Sequence, residues 1–365
     1  MYIYQYKEWP NFNWDESLLL QKLGEVRNLQ GKIIGKMESL GFEMRNKALL
    51  DNLSLDVIKS TEIEGEFLNP AQVRSSIARR LGINTEISLK PDRDVEGMVD
   101  MMMDAAHNCF NPLSIDRLFD WHAALFPTGR SGMRKIITGN WRDDSTGPMQ
   151  VVSGAVGNEK VHFQAPGAAI VSFEMERFID WFNNEDKTDL VIKAAAAHIW
   201  FVTIHPFDDG NGRIARALTD MLLARSDKST QRFYSMSAQI RIERKSYYGI
   251  LEMAQKGNLN ITDWIIWFLD CLMNALISTE SILSGVLKKS EFWQMHSSSV
   301  FNERQRMMIN KLFDGFEGNL TTSKWAKITK CSPDTALRDI QDLISKGVLR
   351  KKDAGGRSTN YELID

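Results

Sequence analysis

Apolar residues recur at helical spacing along most of the chain. Leu18, Leu19, Leu23, Val26, Ile33, Ile34 and Met37 lie near a helical period and predict one helix. Asp15 or Asn13 is suited to cap it. A second helical segment runs from about Arg45 to Glu64, and Gly65 stands where a helix often reverses. Residues 66–135 read as further helices, with Pro70, Pro91 and Pro112 at first turns. Residues 136–166 break this pattern. Glycines 139, 147, 154 and 157 surround two β-like runs, Met149–Val152 and Lys160–Phe163, which predict a hairpin. Isolated in a helical chain, it reads as a flap and not as part of a large sheet. Helical patterning resumes at Ala168 and continues to about Ile277, broken only by short polar stretches at 183–186 and 225–230.

The two ends differ from this core. Tyr2, Tyr4, Tyr6, Trp9, Phe12 and Trp14, with Pro10 among them, predict an extended strap packed on a domain. Near the other end, Asn302–Phe313, Thr321–Ile328 and Pro333–Lys346 predict three helices. Residues 347–352, a Gly355-Gly356 turn and residues 360–363 then predict a hairpin. That order resembles a winged helix-turn-helix. Residues 302–365 carry 12 Lys+Arg against 9 Asp+Glu, a mildly basic +3. Lys351, Lys352 and Arg357 cluster on the wing, so this module either contacts DNA or serves packing and dimerisation.

The expected fold class is mainly α: a helical bundle with a β-hairpin flap, followed by a winged helix-turn-helix. The expected domains are an N-terminal helical region over 1–110, a core over 111–280 and the C-terminal module over 300–365. Composition adds limits. Lys+Arg number 45 and Asp+Glu 47, so no global basic field points to nucleic acid. Cys109, Cys271 and Cys331 are scattered and form no C-x-x-C pair, which fits a reducing compartment. The N-terminus has no basic and apolar signal pattern. Asp263, Asp270 and Asn274 interrupt the most apolar stretch, 261–277, which reads as a buried helix. The expectation is a cytoplasmic protein with no membrane partner.

The chemistry concentrates in His205-Pro206-Phe207-Asp208-Asp209-Gly210-Asn211-Gly212-Arg213-Ile214-Ala215-Arg216, between two apolar helical runs. Gly210 and Gly212 leave backbone amides uncovered at a helix N-terminus, where free N–H groups and the helix dipole attract anions. Arg213 and Arg216, three apart, share a face and suit phosphate oxygens. Asp209 is a hard oxygen ligand placed to hold Mg²⁺ against those phosphates. Asn211 offers a further hydrogen bond. His205, with a reference pKa of about 6.5, suits proton abstraction from a hydroxyl. The chain has no G-x-x-x-x-G-K-[ST], kinase, G-x-S-x-G or H-E-x-x-H motif.

These residues match the Fic-domain signature H-P-F-x-[DN]-G-N-G-R-x-x-R at every specified position, and the chain resembles that family over roughly residues 50–275. The resemblance implies transfer of AMP from ATP to a hydroxyl side chain of a target protein. It implies His205 as base, Asp209 as Mg²⁺ ligand, and Asp209–Arg216 wrapped around the phosphates. Ser60-Thr61-Glu62-Ile63-Glu64-Gly65 resembles the family's inhibitory motif [ST]-x-x-x-E-[GN], on a helix at about 50–65. Ser60 and Glu64 are then a brake, with Glu64 pairing Arg216 in place of the γ-phosphate. In some relatives the same carboxylate aligns water to remove AMP. The hairpin occupies the place of the target-docking flap, with Val151, Val152, Ser153 and Gly154 near the nucleotide. Tyr247, Tyr248 and Gln255 resemble the region framing adenine. Arg142 faces either a phosphate or a structural salt bridge. His162 and His198 lie outside the loop and are not expected to be catalytic. Proteins with this layout often dimerise. Two other readings remain: a nucleotide-sensing DNA-binding regulator, and a Fic-type enzyme moving another phosphate-containing group.

Overall fold

A computed structural model describes residues 1–83, 89–145, 147–154, 160–185, 187–313, 316, 318–352 and 359–364. It divides into two compact units, Met1–Thr279 and Glu280–Asp365. The regions expected over 1–110 and 111–280 thus pack within one unit.

The first unit opens with a short 3₁₀ turn, Ile3–Gln5, and then helices α1 (Glu16–Glu38), α2 (Phe42–Glu64), α3 (Pro70–Leu81), α4 (Arg93–His107) and α5 (Ile115–Leu125). Two minimal strands, β1 (Arg130–Ser131) and β2 (Arg134–Lys135), pair antiparallel. The hairpin follows as β3 (Gln150–Ser153) and β4 (Lys160–Gln164), with a register shift between Val151 and Val152. Helices α6 (Val171–Asn183), α7 (Leu190–Ile204), α8 (Asn211–Asp227), α9 (Met236–Ile242) and α10 (Arg244–Gln255) come next. Helix α11 (Thr262–Met295) continues past the unit boundary.

Local chemistry sets these boundaries. Asp15 caps α1 by accepting from the Ser17 amide at 2.9 Å. Helix α2 starts at Phe42 and not near Arg45, because the Arg45 amide already bonds the Gly41 carbonyl at 3.0 Å. Of the three prolines expected at first turns, only Pro70 holds that place, behind an Asn69 cap. Pro91 precedes the extended residue Asp92, and Pro112 precedes Ser114, whose hydroxyl caps α5 at the Arg117 amide.

Helix α7 is the centre. Every residue from Val191 to Ile204 is buried, so it carries no polar stripe and needs neighbours all round. The small residues Ala194–Ala197 allow a close approach, and α8 packs along α7 with Ile214, Leu218 and Met221 fully buried. The aromatic strap packs on the domain as expected but is coiled and not extended, a 3₁₀ turn at Ile3–Gln5 leading into further turns: Trp9 and Phe12 meet Trp200 edge-on, and Asn13 bridges to Asn260. In the first half of α11, Trp264, Ile265, Phe268, Leu269 and Leu272 are buried, and the Trp264 indole donates to the Ala195 carbonyl at 2.7 Å. By length and composition alone, α11 is also apolar enough to cross a membrane. Helix α2 is fixed from within: buried Asp56 accepts from the Ser235 hydroxyl at 2.5 Å.

The second unit contains α12 (Glu303–Phe313), α13 (Thr322–Thr329), α14 (Pro333–Ser345) and an antiparallel pair, β5 (Leu349–Lys351) with β6 (Tyr361–Leu363). Its core gathers Met308, Trp325, Ile340, Leu343 and Val348. The expected order of three helices and a hairpin is present. The Gly355-Gly356 turn and Arg357 lie outside the described residues, and Lys352 pairs with Glu362 at 3.3 Å.

One close approach governs the position of α5, which supports the loop described below. A Cβ on Gly97 of α4 would lie 1.7 Å from the Ala124 carbonyl oxygen. Gly97→Ala is expected to destabilise the protein by about 2 kcal/mol or more through overpacking. Thermal unfolding checks this, and an unchanged Tm would contradict the contact.

Candidate active site

The loop between α7 and α8 is held from several sides. His205 ends α7 in the left-handed region (φ 52°, ψ 58°), where a non-glycine residue persists only if its surroundings enforce it. Its amide still bonds the Phe201 carbonyl at 3.0 Å. Arg142 supplies the enforcement. Its Nε donates to the His205 carbonyl at 2.7 Å, and its backbone amide donates to the Pro206 carbonyl at 2.9 Å. Its guanidinium also meets the Pro166 carbonyl at 2.5 Å and Asp144 at 3.2 Å. Arg142 therefore serves the loop's backbone and takes the structural alternative left open by the sequence.

The Asn211 side chain closes the loop on itself, accepting from the Phe207 amide at 3.0 Å and donating to its carbonyl at 2.8 Å. The sequence suggested that this amide could donate to a ligand. In this closure the structure uses its oxygen and one of its two amide N–H donors. Gly210 adopts φ 80°, and a Cβ there would approach Phe126 to 2.9 Å. Helix α8 then starts at Asn211 with first-turn amides that lack intrahelical partners.

The His205 Nδ1 lies 3.1 Å from the Val202 carbonyl. A carbonyl can only accept, so Nδ1 carries the proton and Nε2 is left as the basic nitrogen. Burial pulls His205 below its ordinary value, and Arg142 adds to this against the opposing pull of the Val202 bond. The imidazole is thus kept neutral, as a base requires. Asp209 is partly exposed, accepts from the Ser131 hydroxyl and the Gly210 amide, and stands 3.7 Å from Arg213. Asp208 accepts from the Ile137 amide at 2.9 Å.

Helix α2 reaches this corner. Arg216 is buried; its Nε donates to the Ser60 hydroxyl at 2.9 Å, and its Nη2 donates to the Ser60 carbonyl and to Glu64 Oε1, both at 2.8 Å. The Glu64 carboxylate lies over the start of α8 so closely that a Cβ on Gly212 would be 2.3 Å from Oε1. Glycine is what lets an anion approach the helix terminus here. Arg213 Nη1 donates to Glu66 at 2.6 Å. Arg216 Nη1 and Arg213 Nε are buried without hydrogen-bond partners among the described residues.

The structure thus brings together Ser60, Glu64, His205 and the loop from Asp209 to Arg216. Ile214 and Ala215 are core residues of α8. Of the other expected residues, Tyr248 reaches this corner, Tyr247 lies beside Arg216, and the rest are engaged elsewhere. Tyr247 is buried with its hydroxyl on His198 at 2.7 Å, and Gln255 is buried on the Val202 carbonyl and the Thr203 hydroxyl, both at 3.3 Å. The Tyr248 hydroxyl donates to Glu64 Oε2 at 3.2 Å, and its burial beside that carboxylate pushes it up to about 12. Val151 is half-buried, while Val152, Ser153 and Gly154 are exposed on the hairpin. Ser153 meets His162 at 2.6 Å, and His162 meets Glu252 of α10 at 2.7 Å.

Sequence reasoning missed His122, Ser131 and Glu66. His122 is fully buried, stacked on Phe207 at 4.2 Å, accepts from the Gly139 amide at 3.1 Å and donates to the Asp209 carbonyl at 3.2 Å. No motif surrounds it, and its role exists only once α5 meets the loop. Glu66 did carry a signal: an acidic side chain two residues past Glu64, across the glycine that ends the helix.

Residues 112–223, which contain this loop, match the model of the Fic/DOC family. The chain carries a Fic domain. Ahead of the Fic domain, residues 2–83 match a domain described only as of unknown function (DUF4172). Protein adenylyltransferase Fic of Drosophila mojavensis is 28% identical over 225 residues, covering 60% of this chain and 40% of that protein. The protein of the same name from Drosophila sechellia is 35% identical over 225 residues, with the same shares covered. The chain thus spans about two fifths of the length of these relatives. Among solved structures, a Fic family protein from Desulfovibrio desulfuricans G20 superposes with a TM-score of 0.55 at 19% identity, covering 97% of this chain and 98% of that one. A Fic domain containing signaling protein from Bacteroides thetaiotaomicron VPI-5482 gives 0.53 at 20% identity, covering 72% and 98%. At such identities the likeness concerns the fold.

The support beneath the Fic loop has a pH signature. Burial lowers His122 to about 4. Unfolded, it titrates near about 6.5, so the neutral folded form contributes stability that is complete above about 6.5 and lost as pH falls toward 4. The loss from this group is about 3 kcal/mol. Denaturant unfolding from pH 7.5 to 4 is expected to show a shallower pH dependence for His122→Gln than for wild type. Equal slopes would contradict a buried neutral imidazole at this position.

Proposed function

We propose that this protein is an adenylyltransferase that moves AMP from ATP to a Ser, Thr or Tyr hydroxyl of a target protein, and that the end of α2 holds it idle. One observation carries the reading. The carboxylate of Glu64 occupies the N-terminus of α8, bonded to Arg216 at 2.8 Å, where free amides and a buried guanidinium offer a phosphate site. The names of the matching relatives, protein adenylyltransferases, support the same reaction.

The residues have distinct tasks. His205 Nε2 accepts the proton of the incoming hydroxyl while Nδ1 stays on Val202. The freed oxygen attacks the α-phosphorus in line. A new O–P bond forms, the bond to the β-phosphate oxygen breaks, and pyrophosphate leaves. Arg213, Arg216 and the first-turn amides of α8 hold the charge of the polyphosphate. The donor set also fits Mg²⁺, which characteristically takes one or two carboxylates together with phosphate oxygens and water. Asp209 is the partly exposed carboxylate at the loop, and no cluster of three acidic, His or Cys side chains competes for the ion among the described residues. Bound there, Mg²⁺ would supply charge neutralisation for the phosphates. The β3–β4 hairpin offers a strand edge on which an extended target segment can align its hydroxyl.

Glu64 and the γ-phosphate compete for one guanidinium. With Glu64 in place the triphosphate cannot settle fully, and the α-phosphorus is not presented in line to the hydroxyl. Loss of a charge-assisted pair of this kind corresponds to about tenfold or more. Glu64→Gly is therefore expected to raise incorporation of α-labelled AMP into protein by about that factor. His205→Ala in the same background is expected to abolish incorporation while Mg-ATP still binds. No rise in the Glu64 variant would remove the brake. Label from the γ-phosphate alone would replace AMP transfer by phosphoryl transfer.

A further inference from the structure

Two acidic side chains leave the end of α2 for the loop. Gly65, at φ 88°, closes the helix: its amide bonds the Glu62 carbonyl at 3.1 Å, and the Glu66 amide bonds the Thr61 carbonyl at 3.1 Å. This left-handed reversal turns the chain so that Glu64 meets Arg216 and Glu66 meets Arg213. Arg213 is nearly fully buried, with its guanidinium stacked on the Phe126 ring at 5.0 Å. Glu66 lies 2.6 Å from its Nη1, whereas Asp209 stands 3.7 Å from its Nη2. Glu66 is half exposed, so its carboxylate can pass into water without a large desolvation cost. Burial and the neighbouring Asp209, Glu64 and Asp94 carboxylates raise the Glu66 carboxyl, and Arg213 opposes them. The ionised carboxylate therefore stands in an acidic setting that the arginine makes tolerable.

We propose that Glu66 is a second occupant of the phosphate site, competing with the nucleotide for Arg213 as Glu64 competes for Arg216. The inference rests on the reading of this corner as a polyphosphate site. It assigns each guanidinium of the loop its own carboxylate from one helix end. Releasing Glu64 alone leaves Arg213 neutralised, and full access for the polyphosphate requires both to move. Because the two acids flank one glycine, a partner or ligand that displaces the end of α2 releases both together.

The test uses the intact chain as wild type, Glu66→Gln, Glu64→Gly and the double variant. Calorimetry measures Mg-ATP affinity, and α-labelled ATP measures transfer. Glu66→Gln is expected to tighten Mg-ATP binding about threefold in both the wild-type and Glu64→Gly backgrounds, the scale of a half-exposed ion pair. The double variant is expected to have a lower KM for ATP than Glu64→Gly, with kcat little changed. A role confined to packing would alter the unfolding midpoint and leave affinity alone. Unchanged or weaker Mg-ATP binding on Glu66→Gln would overturn the proposal. If no variant labels protein, AMP transfer fails as a reading, and the affinity ratio still decides the role of Glu66.

Discussion

A guanidinium buried at the start of a helix must have an anion. Arg216 is almost wholly removed from water in the second turn of α8, close to the N-terminus whose dipole adds to its positive charge. Leaving such a charge unpaired costs several kcal/mol, so something negative has to sit beside it. In this protein Glu64 does so, seated over Gly212 where any other side chain would collide with it. The same site suits a phosphate for the same reasons. On the proposed reading, occupation by protein and occupation by nucleotide are mutually exclusive states of one electrostatic requirement.

The rest of the first unit serves to make that requirement rigid. Helix α7 is buried on every side and so fixes the axis against which α8 lies. Arg142 ties down the carbonyls of His205 and Pro206, and Asn211 staples the loop through Phe207. His122 joins the loop to α5 from below and pays for its burial by staying neutral. The free Nε2 of His205 follows from the same scaffold, since the Val202 carbonyl claims the other nitrogen. The proposed base, phosphate corner and carboxylates are thus set by groups that never need touch the nucleotide.

The sequence made the loop legible because its chemistry is local. His205, Asp209, Gly210, Gly212, Arg213 and Arg216 lie within 12 consecutive residues, and it is their coincidence that carries the signal. The helical bundle, the hairpin and the pairing of Glu64 with Arg216 were readable for related reasons: regular spacing, and a motif on each partner. Tyr247 and Gln255 show the limit. They join the adenine-framing region by resemblance alone, and in the structure their polar atoms are engaged by His198, Val202 and Thr203 in the interior. Tyr248 in turn faces Glu64. His122 and Ser131 are positioned by packing between distant segments, which no local pattern encodes. Two of three prolines likewise missed the first turn because a neighbouring residue, not the proline, begins the helix.

The most direct measurement is a crystal structure of the Glu64→Gly protein with Mg²⁺ and a non-hydrolysable ATP analogue. The account predicts the polyphosphate on the first turn of α8, against Arg213 and Arg216, with the α-phosphorus turned toward the Nε2 side of His205. A structure in which that corner stays closed by protein, or in which the nucleotide binds elsewhere, would contradict it.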